Sequence, residues 1–157
     1  MNNLKTFDQK SMERVAHEAT EVMHIADGKI NGMIDVKFVS CDFEKRELSL
    51  EYPVLEWSLN PAGFMHGGII STSCDISMAA VAMHFVGGFP PTIQITVDFY
   101  KPVPKGESLI IDSKVIKINK NIVYAECIGK LKSSNKVAVC AKGMYSPQIW
   151  ESALDNI

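Results

Sequence analysis

The chain has 157 residues, of which 46% are hydrophobic and 22% charged, a balance that predicts one globular domain over residues 1–157. The formal net charge is −2, so no overall positive field favours binding to nucleic acid or to an anionic membrane. The first ten residues lack the apolar segment of a secretory signal, and the longest apolar stretch, about residues 76–86, is short for a membrane span. The four cysteines show neither zinc nor disulfide spacing, so we expect a soluble cytoplasmic protein with reduced thiols, no metal and no cofactor.

The first predicted element is an amphipathic helix over about residues 7–26, followed by a stop signal at Asp27 and Gly28. Its apolar residues recur at helical spacing: Met12, Val15, Ala16, Ala19, Val22, Met23 and Ala26. His17 and His24 are seven residues apart and could share one face of this helix. Without a carboxylate or a third ligand, we interpret them as solvated side chains and assign them no role.

Two strands are predicted next, over residues 34–41 and 47–57, and the charged turn at 42–46 suits a hairpin between them. A loop follows at 60–63, and Gly67 and Gly68 lead into a helix over 69–86. This helix is apolar on nearly every side, so we expect other structure to wrap around it.

Four further strands are predicted over residues 92–100, 108–118, 122–131 and 136–145. The short gaps between them predict an antiparallel meander. The whole order favours an α+β fold, in which one curved antiparallel sheet surrounds one long buried helix, with a further helix at the N-terminus. Such a sheet has free edges, so pairing of two protomers is expected.

Asp75 is the anomalous residue, because an ionised carboxylate in a buried helix is unfavourable unless it is paired, hydrogen-bonded or functional. A functional role would make it the acid or base of an active site. Alternatively, its carboxylate could bond back to Ser71 or Thr72 one turn earlier, or face a wet interface. The residues alone leave these alternatives open.

His66, Gly67 and Gly68 immediately precede the predicted helix. Uncovered backbone N–H groups at the positive end of a helix dipole can stabilise an oxyanion. The alternative is an ordinary flexible turn with His66 as the helix cap. A nucleophilic role for the nearby Cys74 is disfavoured, because a cysteine on an apolar helix is typically a core residue and no G-x-S-x-G elbow is present.

The segment NPAGFMHGGIISTSCD, residues 60–75, resembles the hot-dog thioesterases of the PaaI type (phenylacetic acid degradation thioesterases). TIQITVDFYKPVPKGE, residues 92–107, resembles the third strand of that family and its following turn, and a looser likeness extends over about 30–146. The resemblance implies the hot-dog fold, a homodimer that pairs further into a tetramer, and hydrolysis of an acyl-CoA thioester. A non-catalytic domain that binds acyl-CoA is the alternative function.

By this resemblance, Asp75 acts as nucleophile or general base, and the amide of Gly67 polarises the thioester carbonyl. The loop Asn that holds water or the leaving sulfur falls on Asn60, and the family histidine beside the carbonyl falls on His66. The hydroxyl that opens the third strand and often bonds the Asp falls on Thr92.

The resemblance also implies that Gly68 and Ser71 bind substrate. It further implies a site shared between two protomers, with the carboxylate and the strand hydroxyl from one, and the Asn, His and Gly from the other. The length and the aromatic or aliphatic nature of the acyl group are left open.

Overall fold

The computed structural model describes residues 8–25 and 28–147. Helix α1, Gln9–Ile25, lies where the N-terminal helix was predicted, and the outer ends of that prediction fall outside the described residues. Met12 and Ala16 on this helix are buried, and α1 packs against both the first strand and the central helix. The periodicity of the apolar residues therefore located this element correctly.

The first two strands form the hairpin that the charged turn at 42–46 predicted. After a short helix α2, Ile30–Met33, which was not predicted, β1 Lys37–Asp42 pairs antiparallel with β2 Glu47–Pro53. The second predicted strand is too long, because β2 ends at Pro53 and a 3-10 turn, Glu56–Ser58, occupies its predicted C-terminal part. Proline lacks the N–H that would continue a ladder.

Helix α3 spans Gly67–Val86, with His66 at its N-terminal cap and Gly87 in the left-handed conformation at its C-terminal end. The helix packs against β2, β3, β4, β5 and β6. The prediction of burial on every side is too strong, because Gly68 is exposed and Asp75 is only partly buried. The residues with complete burial are Ile70, Ser73, Cys74, Ser77, Met78, Val81, Ala82 and His84.

The apolar stretch at about residues 76–86, which is short for a membrane span, is only the second half of α3. With 20 residues, this helix is long and apolar enough to cross a bilayer by length and composition alone. In the protein, 44% of its apolar segment is buried. The buried core helix of a water-soluble domain meets the same test. Its packing against five strands gives α3 the position of a core helix.

The remaining strands are β3 Thr92–Phe99, β4 Ser108–Ile118, β5 Val123–Leu131 and β6 Val137–Tyr145. Together with β1 and β2, they form one antiparallel sheet with the order β1-β2-β4-β5-β6-β3. The predicted meander is therefore correct for β4 to β6 and wrong for β3, which pairs with β6 instead of β4.

The connection from β3 to β4 explains this difference. It crosses the loop before α3, where the Met65 N–H donates to the carbonyl of Val103 and Phe64 forms a bridge with Pro104. The chain thereby passes from one edge of the sheet to its middle. β3 is left with one bonded neighbour and one free edge within the protomer.

Candidate active site

Asp75 lies two turns into α3, at the partly exposed side of the helix next to β3. Its Oδ1 accepts a hydrogen bond of 3.0 Å from Oγ1 of Thr92, the first residue of β3. Ser71 and Thr72 are not its partners, because their hydroxyls donate to the carbonyls of Gly67 and Gly68 at 3.0 and 2.9 Å. The back-bonding alternative for Asp75 is therefore wrong, and the carboxylate is bonded by the sheet.

Tyr145 is a second partner of Asp75 that the sequence reasoning missed. Its hydroxyl donates to Oδ1 of Asp75 at 3.1 Å, and it stands directly opposite Thr92 in the β3–β6 register. Burial, and then the negative charge of Asp75, raise the pKa of Tyr145 above its ordinary value. The only sequence signal was an inward-facing tyrosine at the end of the last strand, and its meaning depends on the unpredicted pairing of β3 with β6.

The start of α3 holds His66, Gly67 and Gly68. Nδ1 of His66 accepts a hydrogen bond of 2.9 Å from the N–H of Gly68, and the carbonyl of His66 accepts from the N–H groups of Ile69 and Ile70. Among the described residues, the N–H of Gly67 has no acceptor. Of the first four N–H groups of this helix, the one at Gly67 is thus available to a ligand.

Asn60 closes the loop before this helix. Its Oδ1 accepts hydrogen bonds from the N–H groups of Ala62, at 2.9 Å, and Phe64, at 3.2 Å. The side-chain oxygen thus builds an Asx-type turn. The side-chain amide, by contrast, has no hydrogen-bond partner within the described part of the chain, so its N–H groups can reach a ligand.

The predicted site residues form two groups within one protomer. Asp75 and Thr92 are in contact, while Asn60, His66 and Gly67 lie together at the start of α3. Gly67 and Asp75 are eight positions apart on one helix, which corresponds to about 12 Å along its axis. One thioester carbonyl cannot touch both groups of the same protomer at hydrogen-bond distance.

The nearby hydroxyls and thiols do not form a nucleophilic dyad. Ser71 and Ser73 each donate to the backbone carbonyl four residues earlier, at 3.0 and 2.9 Å. Cys74 is fully buried in the core. A hydrogen bond with Cys74, followed by burial, raises the pKa of the Cys127 thiol. The complete burial of Cys74 agrees with its interpretation as a core residue.

Within residues 8–25 and 28–147, no group of three His, Cys, Asp or Glu side chains is close enough to hold a metal ion. The polar groups that α3 and its surroundings present are the Asp75 carboxylate, the two hydroxyls bonded to it, and the groups at the helix start. A carboxylate of this kind can attack an acyl group or remove a proton from water.

A profile of the thioesterase superfamily matches residues 62–138, a segment that contains Gly67, Asp75 and Thr92. The matched segment, just under half of the chain, is similar to the thioesterase superfamily. The chain is 44% identical to the acyl-coenzyme A thioesterase THEM4 of Xenopus laevis over 75 residues, 48% of this chain and 32% of that protein. It is 27% identical to the acyl-coenzyme A thioesterase 13 of Mus musculus over 140 residues, 88% of this chain and 97% of that protein. The chain thus spans about a third of the first relative and nearly all of the second.

Solved structures have the same architecture. Thioesterase superfamily member 2 of zebra fish superposes with a TM-score of 0.76 at 17% identity, over 84% of this chain and 95% of that chain. The PaaI protein from the phenylacetic acid degradation operon of E. coli superposes with a TM-score of 0.71 at 18% identity, over 86% and 94%. These likenesses confirm the hot-dog fold that the sequence predicted.

Proposed function

We propose that the protein hydrolyses an acyl-CoA thioester to a carboxylic acid and CoA, with Asp75 as the catalytic carboxylate. The observation that carries this proposal is a hydrogen bond: the Thr92 hydroxyl holds one oxygen of the Asp75 carboxylate at the partly exposed side of α3. The names of the relatives and the superfamily support the same activity.

The polar groups at the start of α3 supply the second half of the chemistry. In the proposed reaction, the N–H of Gly67, at the positive end of the helix dipole, stabilises the oxygen of the thioester carbonyl as it gains negative charge. Nδ1 of His66 accepts from the N–H of Gly68, so the ring N–H lies at Nε2. That Nε2–H and the side-chain amide of Asn60 are further donors for the carbonyl, the leaving sulfur or a water, while Gly68 and Ser71 border the acyl group.

Asp75 either attacks the thioester carbon or removes a proton from the attacking water. In both cases the C–S bond breaks and CoA leaves as a thiolate, which requires little assistance because the pKa of a thiol is only about 8.5. In the first case the acyl group is then bound to Asp75 as a mixed anhydride, which water hydrolyses to the carboxylic acid and free Asp75. In the second case the attacking water itself supplies the oxygen of the acid. No step of this mechanism requires a metal or a cofactor.

We propose that the active protein is at least a dimer, because the two groups of site residues are about 12 Å apart within one helix. β3 runs beside the open face of α3: Thr92 contacts Asp75, and a Cβ at Gly67 would lie 3.7 Å from the ring of Phe99. Antiparallel pairing of β3 with a second copy of itself would set Thr92 opposite the partner's Phe99. It would thereby bring Asp75 of one protomer close to the partner's Gly67.

The exposed residues along β3 support this pairing. Ile93, Phe99 and Tyr100 are 54%, 53% and 60% exposed in the protomer, and β3 has a free edge. Exposed apolar side chains on an unpaired edge favour association with another strand. Assembly of such dimers into tetramers, and the cytoplasmic location, stay predictions.

The proposed function is tested with purified protein and a panel of acyl-CoA esters of different chain lengths, with release of the free thiol as the signal. Asp75→Asn keeps the volume of the side chain but removes its charge, so kcat is expected to fall by at least about 100-fold while acyl-CoA still binds. The matched control is Asp112→Asn on β4. Its carboxylate also accepts a hydroxyl hydrogen bond, from Ser49 at 2.6 Å, but lies on the opposite face of the sheet.

Two outcomes would contradict the proposal. Wild-type protein that binds acyl-CoA esters without hydrolysing any of them would favour the alternative function of a non-catalytic binding domain. Hydrolysis at an equal rate by the wild type and by Asp75→Asn would remove the carboxylate from the mechanism.

A further inference from the structure

Tyr145, the last residue of β6, reaches from the sheet to the carboxylate on α3. Its side chain is fully buried. The hydroxyl lies 3.1 Å from Oδ1 of Asp75 and 3.4 Å from the backbone carbonyl of the same residue. Seventy positions separate the two residues in the sequence, so this contact is made only by the packing of β6 against α3.

Gly143 makes the space that the Tyr145 ring occupies. It precedes Tyr145 by two residues on the same inward face of β6. A Cβ at position 143 would lie 2.6 Å from Cε2 of the tyrosine ring and 2.9 Å from its hydroxyl. The backbone of Gly143 does not have a positive φ, so steric room for the ring, and not backbone conformation, accounts for a glycine here.

The two donors to Asp75 leave its carboxylate asymmetric. Oδ1 accepts from both Thr92 and Tyr145, whereas Oδ2 accepts from none of the described residues. The two bonds approach Oδ1 from β3 and from β6, so they restrict rotation of the carboxylate about its terminal torsion. The oxygen without a partner is the one that remains free to attack or to accept a proton.

We propose that Tyr145 is a positioning residue for Asp75: together with Thr92 it holds Oδ1 and thereby orients Oδ2 toward the substrate. Gly143 supports this role by leaving room for the ring. The inference rests on the proposed thioesterase function. It adds to the site a residue at the far end of the chain, which acts through Asp75 and does not itself contact the thioester.

The first test is Tyr145→Phe, which removes the hydroxyl and keeps the ring. Loss of one hydrogen bond to a charged group is expected to lower kcat about 10-fold, while KM for the acyl-CoA ester stays unchanged. The matched control is Tyr52→Phe. Tyr52 is likewise fully buried, and its hydroxyl bonds to Ser77 of the same helix at 2.7 Å and not to the Asp75 carboxylate. Both variants lose one buried hydrogen bond to α3, but only Tyr145→Phe is expected to lose turnover.

The second test separates positioning from a general effect on the fold. In an Asp75→Asn background, Tyr145→Phe is expected to cause no further loss of the residual activity, because the group that Tyr145 orients is already absent. Gly143→Ala is expected to lower kcat in the wild-type background and to add little to Tyr145→Phe, since both changes disturb the same bond.

The outcomes distinguish the inference from the function on which it rests. Wild-type protein without hydrolysis of any acyl-CoA ester would refute the proposed function. If the wild type is active but Tyr145→Phe retains the kcat of Tyr52→Phe, the positioning role is refuted alone. Equal fractional losses from Tyr145→Phe in the wild-type and Asp75→Asn backgrounds would also refute it, because they would indicate a purely structural tyrosine.

Discussion

The hydroxyl of Thr92 lies 3.0 Å from Oδ1 of Asp75, although 17 positions separate the two residues in the sequence. Thr92 opens the edge strand β3, and Asp75 projects from the open side of the central helix. The bond therefore fixes the carboxylate at the boundary between helix and sheet edge, where a second protomer is expected to complete the site.

Thr92→Val is expected to lower kcat about 10-fold, because the valine has a similar shape but cannot donate to Asp75. Thr92→Ser keeps the hydroxyl and should retain most of the activity. Thr96→Val is the control, since Thr96 is also exposed on β3 but has no bond to Asp75. Steady-state kinetics of the three variants check this, and equal activities for Thr92→Val and Thr92→Ser would show that the hydroxyl is dispensable.

The oxygen and the amide group of the Asn60 side chain can be tested separately. The oxygen accepts two hydrogen bonds that shape the loop, while the amide group makes no hydrogen bond within the described residues. Asn60→Asp retains the oxygen that accepts from Ala62 and Phe64 but loses the amide donor. We expect it to lose turnover with a nearly unchanged melting temperature. Asn60→Ala should lose turnover and also some stability, since the loop amides then lose their acceptor. Full activity in Asn60→Asp would exclude the amide from catalysis.

Mixing of two impaired variants tests the shared site. If Asp75 of one protomer works with Asn60 of its partner, a heterodimer of Asp75→Asn and Asn60→Ala contains one site with both changes and one intact site. Random mixing after reversible dissociation should therefore restore about a quarter of the wild-type activity. A site within one protomer predicts no gain on mixing, and that result would contradict the dimer proposal.

A charged side chain on the free edge of β3 tests whether two protomers associate through this strand. Ile93→Glu places a carboxylate on the exposed edge and is expected to produce monomers in light scattering, with loss of activity. Ile116→Glu on β4 is the matched control, since Ile116 is exposed to a similar extent, 50% against 54%. Active monomers of Ile93→Glu would show that the site is complete in one chain.

The two buried tyrosines predict a loss of stability at alkaline pH. Burial raises the pKa of Tyr52 and Tyr145 above the usual value of 10.0. Below about pH 10 both phenols keep their proton in the folded and the unfolded chain, so their contribution to stability is complete. Above about pH 10 the unfolded chain releases these protons first, and the free energy of unfolding decreases as pH rises. Denaturant unfolding should show a smaller alkaline decrease for Tyr52→Phe than for the wild type, and an identical decrease would contradict this account.

The sequence by itself determined the elements and singled out Asp75 as the candidate reacting group. Apolar periodicity located α1, the long apolar run after Gly67 and Gly68 located α3, and strand patterns located all six strands. The segment 60–75, which resembles hot-dog thioesterases, pointed to Asp75. These features are local, because the spacing of side chains along a helix or strand is set by its repeat. The 3-10 turn after Pro53 was missed where a proline ended a strand early.

Only the tertiary structure decided which strand is β3's neighbour and which second hydroxyl, besides that of Thr92, holds the carboxylate. Nothing in the spacing of the last four strands indicates that β3 pairs with β6, because that pairing depends on a connection that crosses the loop before α3. The contact between Tyr145 and Asp75 follows from this pairing. It joins groups 70 residues apart, and such contacts are set by the packing of whole elements, which local patterns do not encode.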